Sequence, residues 1–187
     1  MTTQAVICAF KRSPFTQASK GALAKVRPDD MAATVVRALV DETRVNVDDI
    51  EDLLMGCAFP EAEQGFNIAR IVANIADLPL SVAGATLNRF CGSSMTTIHQ
   101  AAAYIMAGAG DVYIAAGVES MTRIPMGGFN PMPNPALASR FPAAYMSMGE
   151  TAENLARKYM ISRTEQESFA LESQKRASAA AAGGKFD

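Results

Sequence analysis

No apolar run in this 187-residue chain approaches the ~20 residues that a membrane-spanning helix needs, so no membrane partner is expected. Cysteine is scarce and odd in number. Cys8, Cys57 and Cys91 show no C-x-x-C spacing, which argues against a disulfide scaffold and against a zinc site. The carboxylates of Asp48-Asp49-Ile50-Glu51-Asp52 adjoin an expected helix end and strand start, where solvated charge is usual, so no metal set is read there. A basic excess is also missing. The formal charge is −2 and the Lys and Arg residues are scattered rather than striped, which argues against nucleic acid as a partner. Met1-Thr2-Thr3-Gln4 runs straight into an apolar stretch, without the basic flank and long apolar core of a signal peptide. A reducing cytoplasm is the expected location. Histidine occurs once, at position 99.

What is present reads as a folded domain. Hydrophobic residues make up 49% and charged residues 19%, too apolar a balance for disorder. Apolar runs at Ala5–Phe10, Leu53–Ala58, Val82–Asn88 and Asp111–Gly117 read as four buried strands, with Cys8 taken as core. Helices are expected between them. One opens at Pro28-Asp29-Asp30, with an Asp as N-cap and Met31, Val35, Val36, Leu39 and Val40 as its apolar face. Another runs from Asn67 to Ala76. A third runs from Thr96 to Ala107, burying Met95, Ile98, Ala102 and Ile105 or Met106. This β-α-β-α-β-α-β order predicts an α/β fold, a mainly parallel sheet with helices on both faces and ligand sites at the C-terminal strand ends. After Arg123 the composition changes to a Pro-rich irregular stretch, so the expected domains are residues 1–121 and 122–187. Two helices follow it, from about Gly149 to Tyr159 and from Ser162, where Ser162-Arg163-Thr164-Glu165 has capping-box spacing.

Asn88-Arg89-Phe90-Cys91-Gly92-Ser93-Ser94-Met95 joins the third expected strand to the helix after it. At a helix N-terminus the first N–H groups lack intrahelical partners and the dipole favours negative charge. A thiolate is stabilised there, and the same donors suit an oxyanion developing on a bound carbonyl. Gly92 allows a substrate close to the backbone. Two readings of Cys91 stand at this point, a nucleophile and a buried structural thiol.

The residues around Cys91 resemble the cysteine motif of the thiolase family. Ala116-Gly117-Val118-Glu119-Ser120-Met121-Thr122 is similar to its next motif, and Ser147-Met148-Gly149-Glu150-Thr151-Ala152-Glu153-Asn154 to its loop-domain motif. The opening strand with Arg12-Ser13-Pro14-Phe15 fits as well, so the resemblance covers the whole chain. It implies a thiolase-like N-terminal core with the start of a helical loop domain. It implies a Claisen-type acyl transfer in which Cys91 takes an acyl group from an acyl-CoA and passes it to CoA or to the carbanion of acetyl-CoA. Its amide would contribute to the oxyanion hole. Met148 matches a position near the substrate's acyl end, or is a core Met opening a helix. Acyl-CoA and CoA are implied as substrates, with no permanently bound cofactor.

The family is about twice this length. Its second half resembles the first and supplies a Gly-His-Pro histidine that activates the cysteine, an Asn that holds water, and a Cys-x-Gly-Gly acid/base, none of which occurs here. His99 lies eight residues beyond Cys91, two turns up the same helix at ~12 Å of rise. It cannot be the base, and a packed or hydrogen-bonded helix histidine is expected. The family's sheet also takes a fifth strand from sequence after the loop domain. The expectation is thus an N-terminal half that lacks its C-terminal partner half and is a poor catalyst by itself. By resemblance the intact protein is a degradative 3-ketoacyl-CoA thiolase of fatty acid β-oxidation, a homodimer through its core domain. The alternatives are a biosynthetic acetyl-CoA acetyltransferase, a half that pairs with a separate C-terminal chain, or a non-catalytic dimerising scaffold.

Overall fold

The computed structural model describes residues 4–186; Met1 to Thr3, read above as leading into the first strand, and Asp187 lie outside them. Three parallel strands, β1 (Ile50–Gly56), β2 (Ala83–Leu87) and β3 (Val112–Gly117), form a sheet in the order β2-β1-β3. Parallel neighbours require crossovers. Helix α2 (Ile68–Ile75) makes the first and α3 (Ser93–Ala107) the second, while α1 (Pro28–Thr43) precedes β1.

Side chains of the central strand alternate between two faces, and this sets the layers. Leu53 and Met55 join Ala32, Ala33 and Val36 of α1 and Ile68, Ala69, Val72 and Ala73 of α2 in one apolar core. On the other face α3 packs, and Gly56 stands directly against the backbone of Ser93 and Ser94. The α/β architecture read from the sequence is therefore present, with helices on both faces.

Four expectations are corrected. Ala5–Phe10 forms no strand, and Val6, Ile7 and Phe10 are 72%, 77% and 84% exposed. Cys8, expected in the core, is exposed with them. Apolar character alone does not make a strand, because each N–H and C=O needs a neighbouring ladder. None pairs with this segment among the described residues, so three strands stand where four were expected. Helix α3 is rotated from its expected setting. Ser93, Thr97 and Ala101 are buried, whereas Met95, Ile98 and Met106 are exposed. Small side chains at every fourth position let the helix axis approach the sheet, and the Thr97 hydroxyl bonds the Ala116 carbonyl of β3 at 3.2 Å. Helix α1 starts at Pro28 with Arg27 as its cap residue. Neither Asp29 nor Asp30 is the cap: both lie in the first turn, and Asp29 takes a bidentate bond from the Arg27 guanidinium, at 3.0 and 2.7 Å.

The described residues divide at Pro131/Met132 into two units. Residues 122–131 stay with the first. Ile124 is buried there, Arg123 pairs with Glu63, and the Phe129 N–H bonds the Glu61 carboxylate at 2.8 Å. The second unit holds α4 (Pro135–Arg140), α5 (Met148–Lys158) and α6 (Arg163–Ala182). Both longer helices open with reciprocal capping boxes, Ser147 with Glu150 and Ser162 with Glu165. The short α4 was not expected. It starts inside the Pro-rich stretch, with Pro135 in its first turn and the Asn134 side chain accepting the Leu137 N–H.

Candidate active site

Asn88 to Gly92 turn the chain from β2 into α3. The turn is fixed by bonds from both sides. The Asn88 carbonyl oxygen Oδ1 accepts the Phe90 N–H at 2.8 Å, and its Nδ2 donates to the Ala58 carbonyl at 2.9 Å. Ser93 Oγ accepts the Arg89 N–H at 2.8 Å and donates to the Phe90 carbonyl at 2.6 Å. Phe90 sits at φ 46°, in the left-handed region, which costs a non-glycine residue about 1–2 kcal/mol. Such a conformation persists where surrounding contacts over-determine it. The Phe90 ring adds one, lying 5.9 Å from that of Phe59.

The turn leaves Cys91 exposed at the mouth of α3, on the C-terminal side of the sheet. Of the two readings of this residue, the buried structural thiol is corrected by that exposure. The expectation of free amides is corrected in part. The Gly92 and Ser93 N–H groups are bonded within the turn, each at 3.0 Å, to the carbonyls of Arg89 and Phe90.

Gly92 lies beside Cys91 as the cap residue of α3. A Cβ there would meet Arg89 at 3.4 Å and beyond, an ordinary contact, so packing within the turn does not require glycine. Met148, the other substrate-binding candidate, is the exposed first residue of α5 in the second unit. His99 falls within α3 as expected, but it is exposed rather than packed. It follows buried Thr97 by two residues, which turns it to the far side of the helix. Among the described residues, no three His, Cys, Asp or Glu side chains come together as a metal set.

A buried polar group beneath the turn escaped the sequence reading. Gln64 is fully buried, and its amide Nε2 donates to Glu119 Oε1 at 2.8 Å and to the Phe59 carbonyl at 2.9 Å. Its Oε1 accepts the Ser120 N–H at 2.7 Å, while Glu119 Oε2 accepts the Ala58 N–H at 2.7 Å. The only sequence signal was that Glu119 lies in a quoted motif. Nothing local marks Gln64, whose partners lie up to 56 positions away.

Cys57, next to this group, is buried. Burial first, and the Glu119 charge second, push its thiol up from 9.0 to about 12. The thiolate is the reactive form, so Cys57 is expected to resist iodoacetamide in the native protein through mildly alkaline pH while Cys8 and Cys91 are alkylated. The native thiol keeps its proton across a window in which an unfolded cysteine, near pKa ~8.5, loses it. Its contribution to stability therefore falls as pH rises from the unfolded value toward about 12. Peptide mapping after alkylation at stepped pH checks the order; early modification of Cys57 contradicts it.

A parallel α/β sheet that presents an exposed thiol at a strand-to-helix turn defines the class. The chain belongs to the thiolase family: residues 5–187 match the family model described as "Thiolase, N-terminal domain". It is 48% identical over 183 residues to a 3-ketoacyl-CoA thiolase of Bacillus subtilis, covering 98% of this chain and 47% of that protein. A 3-ketoacyl-CoA thiolase of Psychrobacter cryohalolentis is 43% identical over 176 residues, covering 94% of this chain and 45% of the relative. One of Shewanella frigidimarina is 41% identical over 184 residues, covering 98% and 47%. The chain thus spans about half the length of the curated relatives it matches.

Proposed function

We propose that Cys91 is the acyl-accepting nucleophile of a 3-ketoacyl-CoA thiolase, acting in the degradative direction. In that reaction the thiolate sulfur attacks the C3 ketone carbon of the substrate. The C2–C3 bond then breaks, its electron pair leaves with C2 as the enolate of acetyl-CoA, and a proton completes that product. The thiol of a second CoA attacks the acyl-cysteine, releases the shortened acyl-CoA and restores Cys91. The observation that carries this reading is the exposure of Cys91 at the mouth of α3 on a turn held by Asn88 and Ser93. The 3-ketoacyl-CoA thiolase names of the relatives support the substrate class and direction. We assign the Cys91 amide to the oxyanion, and Gly92 and Met148 to substrate binding.

The nucleophile stands here without a base. The single histidine, His99, is exposed on α3 and does not flank Cys91. A positioned general base contributes about 10²–10⁴-fold, so this chain by itself is expected to cleave acetoacetyl-CoA slowly. A partner half that brings the base completes the site. The exposed Met95, Ile98 and Met106 of α3 and the position of β2 at the sheet edge among the described residues support a second copy docking through the core unit. No helix among the described residues is long and apolar enough to cross a membrane; a cytoplasmic homodimer is the setting we propose. Steady-state thiolysis of acetoacetyl-CoA by the 187-residue chain tests the missing base. Turnover near the enzyme median of ~10 s⁻¹ overturns it.

A further inference from the structure

The turn that carries Cys91 does not rest on the sheet alone. Asn88 holds the Ala58 carbonyl and Phe90 stacks near Phe59, so the Cys57–Phe59 loop after β1 forms its floor. That loop is held in turn from the end of β3. Glu119 takes the Ala58 N–H, Gln64 donates to both Glu119 and the Phe59 carbonyl, and Gln64 accepts the Ser120 N–H. Gln64 Nε2 also lies 3.3 Å from Cys57 Sγ. A fully buried amide is costly unless its polar atoms are satisfied. Gln64 uses both of its polar atoms, and all its partners belong to the ends of β1 and β3 and the loops that follow them. The connection runs from Ser120 through Gln64 to Phe59 and from Glu119 directly to Ala58, then from Ala58 and Phe59 to Asn88 and Phe90, and ends at Cys91.

We propose that Gln64 and Glu119 are positioning residues for Cys91: the amide–carboxylate pair fixes the loop that sets the nucleophile's turn. This rests on the nucleophile reading of Cys91. The pair has a donor-to-acceptor direction, which makes it testable by exchange. Gln64→Glu sets two carboxylates against each other with no donor between them. Glu119→Gln leaves one oxygen to serve both the Ala58 N–H and Gln64. The double exchange, Gln64→Glu with Glu119→Gln, restores the link between the two side chains, since residue 119 donates to residue 64 and accepts from Ala58 while residue 64 accepts from Ser120. It leaves the Phe59 carbonyl without the donor it has in the wild type.

The readout is the alkylation rate of Cys91 divided by that of Cys8 in the same sample, by peptide mass spectrometry with iodoacetamide, with thermal unfolding alongside. Each single variant is expected to lower the ratio severalfold, and the double exchange to recover part of the loss, because the Phe59 carbonyl stays without its donor. Where a single variant does not fold, Gln64→Ala, which removes the amide without opposing two carboxylates, takes its place, with a lowered ratio in support and an unchanged one against. An unchanged ratio in folded single variants overturns the proposal. So does a ratio that stays low in the double exchange while Cys57 becomes alkylated, because the pair is then merely structural. A wild-type Cys91 no faster than Cys8 defeats this inference, because the turn then confers no reactivity on the thiol; the nucleophile reading, whose base this chain does not hold, is tested by acetyl loading instead. A fast wild type with equally fast variants defeats only the inference.

Discussion

Gly56→Ala is expected to cost both stability and Cys91 reactivity, whereas Gly84→Ala costs stability alone. A Cβ on Gly56 would lie 2.4 Å from the Ser93 carbonyl carbon and from Ser94 N, and 2.8 Å from Ser93 O. These are backbone atoms of the first turn of α3, so no side-chain rotation relieves the overlap. Over-packing of this kind costs about 1–3 kcal/mol, and in a chain of this size each kcal/mol lowers Tm by about 2–4 °C. Relief moves the start of α3 away from β1, and Cys91 moves with it. Gly84 makes a close but less tight contact on the opposite face, where a Cβ would lie 2.7 Å from Arg70 N and 2.8 Å from Arg70 Cα in α2. Comparing Tm and Cys91 alkylation in the two variants separates packing from positioning. Equal loss of Cys91 reactivity in both contradicts the account.

Legibility followed the range of the forces involved. Residues 50–117 read correctly as alternating strands and helices, because burial on both faces of a parallel sheet leaves continuous apolar runs such as Leu53-Leu54-Met55. Ala5–Phe10 has a similar apolar composition but no ladder beside it among the described residues, and pairing cannot be read from one segment. In α3 the apolar residues suggested one face and the packing chose another, since Ser93, Thr97 and Ala101 allow close approach to β1 and β3. Ser162 to Glu165 was read as a capping box, while the equal signature of Ser147 and Glu150 was passed over. Cys91 was legible because a strand, a Cys-Gly pair and a helix are adjacent in sequence. Gln64 was not, because its role exists only once three strand ends meet.

Cys91→Ser is expected to abolish acetyl loading from acetoacetyl-CoA, and the reason lies in which carbon is attacked. Any exposed thiol, Cys8 included, exchanges with the thioester carbon C1 and becomes acetoacetylated. Attack at C3 with cleavage of the C2–C3 bond leaves an acetyl group directly on the attacking sulfur and an enolate that departs as acetyl-CoA, so early acetyl on one cysteine, before acetyl-CoA accumulates, marks that attack. That step needs stabilisation of the developing oxyanion, for which the Cys91 amide is the proposed donor, whereas the segment around Cys8 belongs to no helix or strand. The two products differ in mass on the same peptide. Loading by this chain is expected to be slow, for want of a base, but confined to Cys91. The deciding measurement is the acyl group found on each cysteine peptide after incubation with acetoacetyl-CoA. Acetyl on Cys91, absent from Cys8 and Cys57, discharged by added CoA and lost in Cys91→Ser, is the expected result. Acetoacetyl on Cys91 and Cys8 alike, with no acetyl on Cys91, contradicts the assignment of Cys91 as the thiolase nucleophile.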